Sequence, residues 1–207
     1  MRRLAVPPRQ RHSSGSARQT EQVLALAHLV SELMTIQDSA TFTSVMLNRL
    51  REILHADVVS LWLHNSTSHR YILSDIASTQ HHTIPTDDYD MITALQVRSG
   101  EALVGAVIST GTSQQVNSAE AYRSTFGALG RRREALFNRW RALLPREFRV
   151  SALGFGNHGR PLGVIEVFSN TRPSALLRHE ALHLYLNQMA MLSQQLDQQI
   201  ETLNQRR

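Results

Sequence analysis

Hydrophobic positions along this chain change period several times, and each change marks an element. In "TEQVLALAHLVSELMTI", Val23, Leu26, Leu29, Val30 and Leu33 recur at three- and four-residue spacing, which predicts an amphipathic helix capped by Thr20. A second helix is expected after Asp38 and Ser39, with Phe42, Val45, Met46, Leu50, Ile53 and Leu54 on one stripe, ending near His55. The period then drops to two. In "DVVSLWLHN", Val59, Leu61 and Leu63 point one way while Val58, Ser60 and Trp62 point the other. "NSTSH" has turn chemistry, and "RYILSDIAS" reads as the antiparallel partner.

Residues 80–96 hold no clean period and are expected to be loop with a short helical turn. "SGEALVGAVISTG" predicts a short helix capped by Ser99 and stopped by Gly111, followed by a short strand in "TSQQVN". Residues 118–147 turn helical again, with Leu136, Trp140, Leu143 and Leu144 on the buried side and Pro145 as the stop. "FRVSALGFG" and "RPLGVIEVFS" form a hairpin through "NHGR", with Ile165 and Val167 on one face and Glu166 and Phe168 on the other. From Ser174 onward the pattern predicts one long helix. Two helices, a hairpin, small helices, a second hairpin and a long helix imply an α+β layer arrangement on an antiparallel sheet.

Composition removes several chemistries. The 207 residues contain no cysteine, so thiolate nucleophiles, disulfides and Cys-ligated zinc are excluded. All 22 basic residues are arginine, which excludes a Schiff-base lysine and a Walker-type lysine. The formal net charge of +5 resides wholly in residues 1–18, where Arg2, Arg3, Arg9, Arg11 and Arg18 meet no acid. Residues 1–19 are therefore expected to be a disordered basic tail ahead of a neutral body. No apolar run is long enough to span a bilayer, so the expected location is cytoplasmic, without a membrane partner.

Three stretches, in order, resemble a known family: "ILHADVVSLWLHN", "SGEALVGAVISTGTSQQVN" and "VSALGFGNHGRPLGVIEVFSN". Together they resemble the GAF domain, a sensory module of many bacterial signalling proteins. The resemblance implies an antiparallel sheet of about five to six strands with helices packed on it, over residues 20–182, interrupted by a helical insertion at 118–147. Residues 183–207 would continue the last helix in coiled-coil fashion. It also implies a non-catalytic module that binds a small molecule on the sheet face carrying Ser60, Trp62, Glu166 and Phe168, and that signals to a partner protein. The family's cyclic-nucleotide pattern needs a lysine, and its bilin-attaching and thiol-reductase branches need cysteine; this chain has neither. No cofactor is expected. Gly105 is expected to let its helix lie close against the sheet.

Other features carry alternatives. "HEALH" at 179–183 matches H-E-x-x-H, in which two imidazoles one turn apart bind zinc beside a glutamate. A third ligand is needed, and Glu201 on the same straight helix would lie about 27 Å from His183. No metal site is assigned, and the zinc hydrolase stays a minor alternative. Arg131, Arg132, Arg133, Arg139, Arg141, Arg146 and Arg149 outnumber Glu134 and Glu147 locally. Arg131, Arg132 and Arg133 are thus the candidate contact for nucleic acid or an acidic partner in a second reading, a nucleic-acid-associated regulator. His81 and His82 fall in a polar loop and read as solvated. The seam Leu182, Tyr185, Met189, Leu192, Leu196 and Leu203, with the apolar stripe of the first helix, predicts a homodimer through the first and last helices.

Overall fold

The structure is a computed structural model, and the described residues are 13–79, 94–156, 161–171 and 174–205. The expectations for residues 1–12, for His81 and His82, for the "NHGR" turn, and for the side chains of Leu196 and Leu203 lie outside them.

Helices α1 (Ser13–Leu33) and α2 (Ser39–Leu54) come first. Asp38 caps α2 by accepting from the Thr41 amide, and His55 closes it in the left-handed region at φ 52°. Strands β1 (Val58–Asn65) and β2 (Arg70–Ser78) form the first hairpin, with a register shift between Leu61 and Trp62. Then follow β3 (Gln96–Val97), α3 (Ala102–Thr110), β4 (Gln114–Val116), α4 (Ala119–Thr125) and α5 (Arg131–Ala142). Strands β5 (Arg149–Phe155) and β6 (Gly163–Ser169), a 3-10 turn (Ala175–Arg178) and α6 (Glu180–Gln205) complete the order. The six strands form one sheet, β3-β2-β1-β6-β5-β4, with every pairing antiparallel. The α+β architecture expected from the sequence is therefore present.

Alternation along the central strands divides two cores. Val59, Leu61, Leu153, Ile165 and Val167 pack with α1, α2 and α6. Val58, Trp62, Val150, Ala152, Val164 and Phe168 pack with α3, α4 and α5. The sheet is thus covered by helices on both faces.

Several local expectations need correction. α1 extends upstream to Ser13, so Thr20 is inside the helix rather than its cap, and residues 13–19 are helical rather than part of a tail. The stretch "SSGSARQ" contains no proline to stop helix propagation. β3 pairs with β2 through Tyr71 and Ile72, a strand too short to leave a period in sequence. The N-cap of α3 is Glu101, not Ser99. A Cβ on Gly105 would lie 2.2 Å from the Arg98 carbonyl oxygen, so that glycine accommodates the tight entry loop and not the sheet. On α5 the buried residues are Phe137 and Trp140, while Leu136 is only half-buried. The last helix is not continuous from Ser174: the chain is extended at His179, between the 3-10 turn and α6.

Candidate functional site

The feature with the most chemistry is a polar cluster sealed inside the second core. Ser60 and Trp62 alternate onto that face of β1, and the antiparallel register sets Ser60 opposite Glu166 on β6. Glu166 Oε2 accepts from Trp62 Nε1 at 2.8 Å, from the Tyr122 hydroxyl at 3.1 Å and from Ser60 Oγ at 3.3 Å. Trp140 Nε1 donates to the Tyr122 hydroxyl at 3.1 Å, which extends the chain of donors to α5. Phe168 lies edge-on to Tyr122, Trp140 and Phe148, with ring centroids 5.1 to 5.7 Å away.

Ser60, Trp62, Tyr122, Trp140, Glu166 and Phe168 are all fully buried. Burial pushes the Glu166 carboxyl up to about 7, against the opposing pull of its three donors. Burial and the neighbouring Glu166 charge together hold the Tyr122 phenol well above its usual range. Glu166 Oε1 has no hydrogen-bond partner among the described residues. The four residues chosen from the sequence therefore meet in one place, but closed off from solvent by the aromatic cover of α4 and α5. Sequence reasoning missed Tyr122 as a cluster member and took Trp140 only as packing. The available signal was that a buried phenol and a buried indole N–H both need partners.

A second polar region lies on the opposite face, at the β4–β5 edge, where a groove of about 1060 Å³ opens between the sheet, α1 and the 3-10 turn. Arg18, Arg149 and Arg178 line it, with Gln22, Ser151 and Ser174.

The arginines of α5 are not one patch. Arg131 and Arg132 are exposed, but Arg133 pairs with Glu101 and donates to the Gln96 carbonyl, fastening α5 to the entry of α3. Arg141 donates to the carbonyls of Leu144, Pro145 and Arg146 and stacks over Phe148, closing the C-terminal end of α5. In "HEALH" the extended backbone at His179 removes the helical spacing that zinc binding needs, and His179 Nδ1 instead accepts from the Ala181 amide at 3.1 Å, capping α6. No group of three His, Cys, Asp or Glu side chains converges among the described residues.

Solved structures give the architecture a precedent. The GAF domain of a Coxiella burnetii phosphoenolpyruvate-protein phosphotransferase superposes with a TM-score of 0.62 at 16% identity, covering 84% of this chain and 92% of its own. The GAF domain of the Acinetobacter phosphoenolpyruvate-protein phosphotransferase gives 0.61 at 15%, covering 84% and 93%. The fold is GAF-like. A free methionine-R-sulfoxide reductase from Neisseria meningitidis shares it with a TM-score of 0.53 at 15% identity, over 95% of both chains. Comparison with protein-family models finds no match, and neither does comparison with curated proteins. At these identities the likeness defines the GAF-like fold alone. No helix among the described residues is long and apolar enough to cross a membrane.

Proposed function

We propose that this GAF-like chain is a non-catalytic sensory and signal-transduction module that works as a homodimer through α1 and α6. The observation that carries the reading is where large apolar side chains stay in water. Leu24 on α1 is 58% exposed, and Leu184 and Met191 on α6 are 56% and 58% exposed. Leu184 and Met191 are two helical turns apart and share one face. α1 and α6 pack against each other, so a second copy can meet both helices at once.

The surface differs from the one read in the sequence. Leu182, Tyr185 and Met189 are buried in the chain's own first core, with Leu192 packed against it, so that seam holds α6 to its own domain. The neighbouring face carrying Leu184 and Met191 is the one left for a partner. A small molecule reaching Ser60, Trp62, Glu166 and Phe168 has to displace the aromatic cover, and its natural anchor is Glu166 Oε1, the carboxyl oxygen without a partner among the described residues. The nucleic-acid reading is weakened by the loss of Arg133 to an internal ion pair.

Light scattering on the purified chain at micromolar concentration tests the proposal. A dimeric mass is expected, with a shift to monomer and unchanged helical circular dichroism in Leu184→Glu/Met191→Glu. A monomeric mass for the unsubstituted chain overturns it.

A further inference from the structure

Strand β5 sends alternate residues to opposite faces. Ala152 sits beside Glu166 in the sealed cluster, while Arg149, Ser151 and Leu153 turn toward the groove on the other side. Three separate elements bring a guanidinium to that groove: Arg18 from α1, Arg149 from the start of β5 and Arg178 from the end of the 3-10 turn. No aspartate or glutamate is among its described lining residues, and none of the three arginines is in an ion pair with a described residue. Several arginines elsewhere are paired within the fold, as Arg49, Arg123, Arg133 and Arg141 show. The groove thus brings together three arginines from separate elements that have no ion-pair partner among the described residues.

Its floor is ordered. Gln22 is buried, donates from Nε2 to the Ile53 carbonyl at 2.7 Å and accepts from Ser174 Oγ at 3.2 Å, tying α1 to α2 and to the 3-10 turn. Arg178 reaches across toward Gln115 on β4, with its Nη2 3.5 Å from the amide oxygen. The buried Ser151 adds a hydroxyl to the lining.

Planar guanidinium forks pair with phosphate oxygens in bidentate fashion, and three of them around neutral hydroxyls and amides suit a compact polyanion rather than a single carboxylate. We infer that the groove between α1, the 3-10 turn and the β4–β5 edge binds a soluble small molecule carrying two or more phosphate groups. Arg18, Arg149 and Arg178 hold the phosphates. The groove's volume leaves room for an attached organic group. An occupant there touches α1 and the segment that leads into α6, so its binding energy acts on the two helices assigned above to dimerisation. The inference does not depend on that assignment, because binding is read on the chain whatever its subunit count.

Titration calorimetry of the full chain with inorganic pyrophosphate, at low and at near-physiological salt, is the test. Saturable binding of one pyrophosphate per chain is expected. Arg149→Ala/Arg178→Ala should weaken it by about tenfold or more, while Arg131→Ala/Arg132→Ala, which removes the same charge elsewhere, leaves it unchanged. Absence of saturable binding overturns the inference. So does equal weakening in both variants, which would mark diffuse charge attraction, or full binding in the groove variant. If short duplex DNA or anionic vesicles bind and pyrophosphate does not compete, the groove is a macromolecular or lipid contact and the inference fails. Circular dichroism of the variants confirms that each is folded.

Discussion

The sealed cluster at Glu166 and the open groove at Arg149 lie on opposite faces of the same two strands, and they treat polar side chains in opposite ways. Inside, an acid is surrounded by donors and aromatic rings, and three donors converge on one carboxyl oxygen. At the groove, cations from three elements stand together without acids beside them among the described lining residues. Burial makes the first region a determinant of stability, since a desolvated polar group is costly unless it is satisfied. Exposure makes the second available for binding, since water already solvates its charges and their loss costs the fold little.

That contrast can be broken by substitution, and the largest effect is expected in the sealed region. Trp140→Ala removes a fully buried indole that packs on Trp62 and Phe168 and supports Tyr122, and should cost about 3–5 kcal/mol in urea unfolding. A loss below about 1 kcal/mol would mean that α5 does not seal the cluster.

Next is the response to pH. The folded-state Glu166 carboxyl is raised from 4.5 to about 7, so the folded protein holds a proton that the unfolded chain has released across that interval. Stability from this group is therefore complete below about pH 4.5 and is lost as pH rises through about 7, by roughly 3 kcal/mol in all. Unfolding free energies measured across this range should fall with pH in the native chain and show a flatter profile in Glu166→Gln. The same slope in both proteins would assign the titration to another group.

Tyr122→Phe should cost less, about 1–3 kcal/mol, by leaving the Trp140 N–H without its acceptor and taking one donor from Glu166. It should also move the midpoint of the pH profile upward, because the lost hydrogen bond favours the carboxylate. The smallest effect belongs to the groove: Arg149→Ala/Arg178→Ala should change unfolding free energy by no more than about 0.5 kcal/mol per site. A larger loss would show that these arginines hold the fold together and are not free for a ligand.

How much of this was legible in sequence follows from the range of each signal. Strand parity reports which side chains share a face, and Ser60, Trp62, Glu166 and Phe168 do share one. It does not report what covers that face. α4 and α5 supply Tyr122 and Trp140 from sixty to eighty residues along the chain beyond β1, and only the tertiary fold shows that they fill the space above Glu166. The arginines of the groove were invisible for a related reason, since Arg18, Arg149 and Arg178 come from distant segments that share no local pattern. "HEALH" failed in the other direction: its spacing is right for one helix, but the helix starts after its first histidine. The apolar seam of α6 was found, yet a seam alone does not say whether its own domain or a partner covers it.

The most direct test of the central contrast uses the two tryptophans, the only ones in the chain, which both lie in the sealed cluster. Their indole N–H resonances can be followed by nuclear magnetic resonance from about pH 5 to about pH 9. Trp62 donates to Glu166 itself and Trp140 to Tyr122 beside it, so both signals should shift together with a midpoint near 7, and neither should do so in Glu166→Gln. Indole signals that stay flat across the range, or that titrate near an ordinary carboxyl value, would show that Glu166 is not held in a dry interior and would contradict the account.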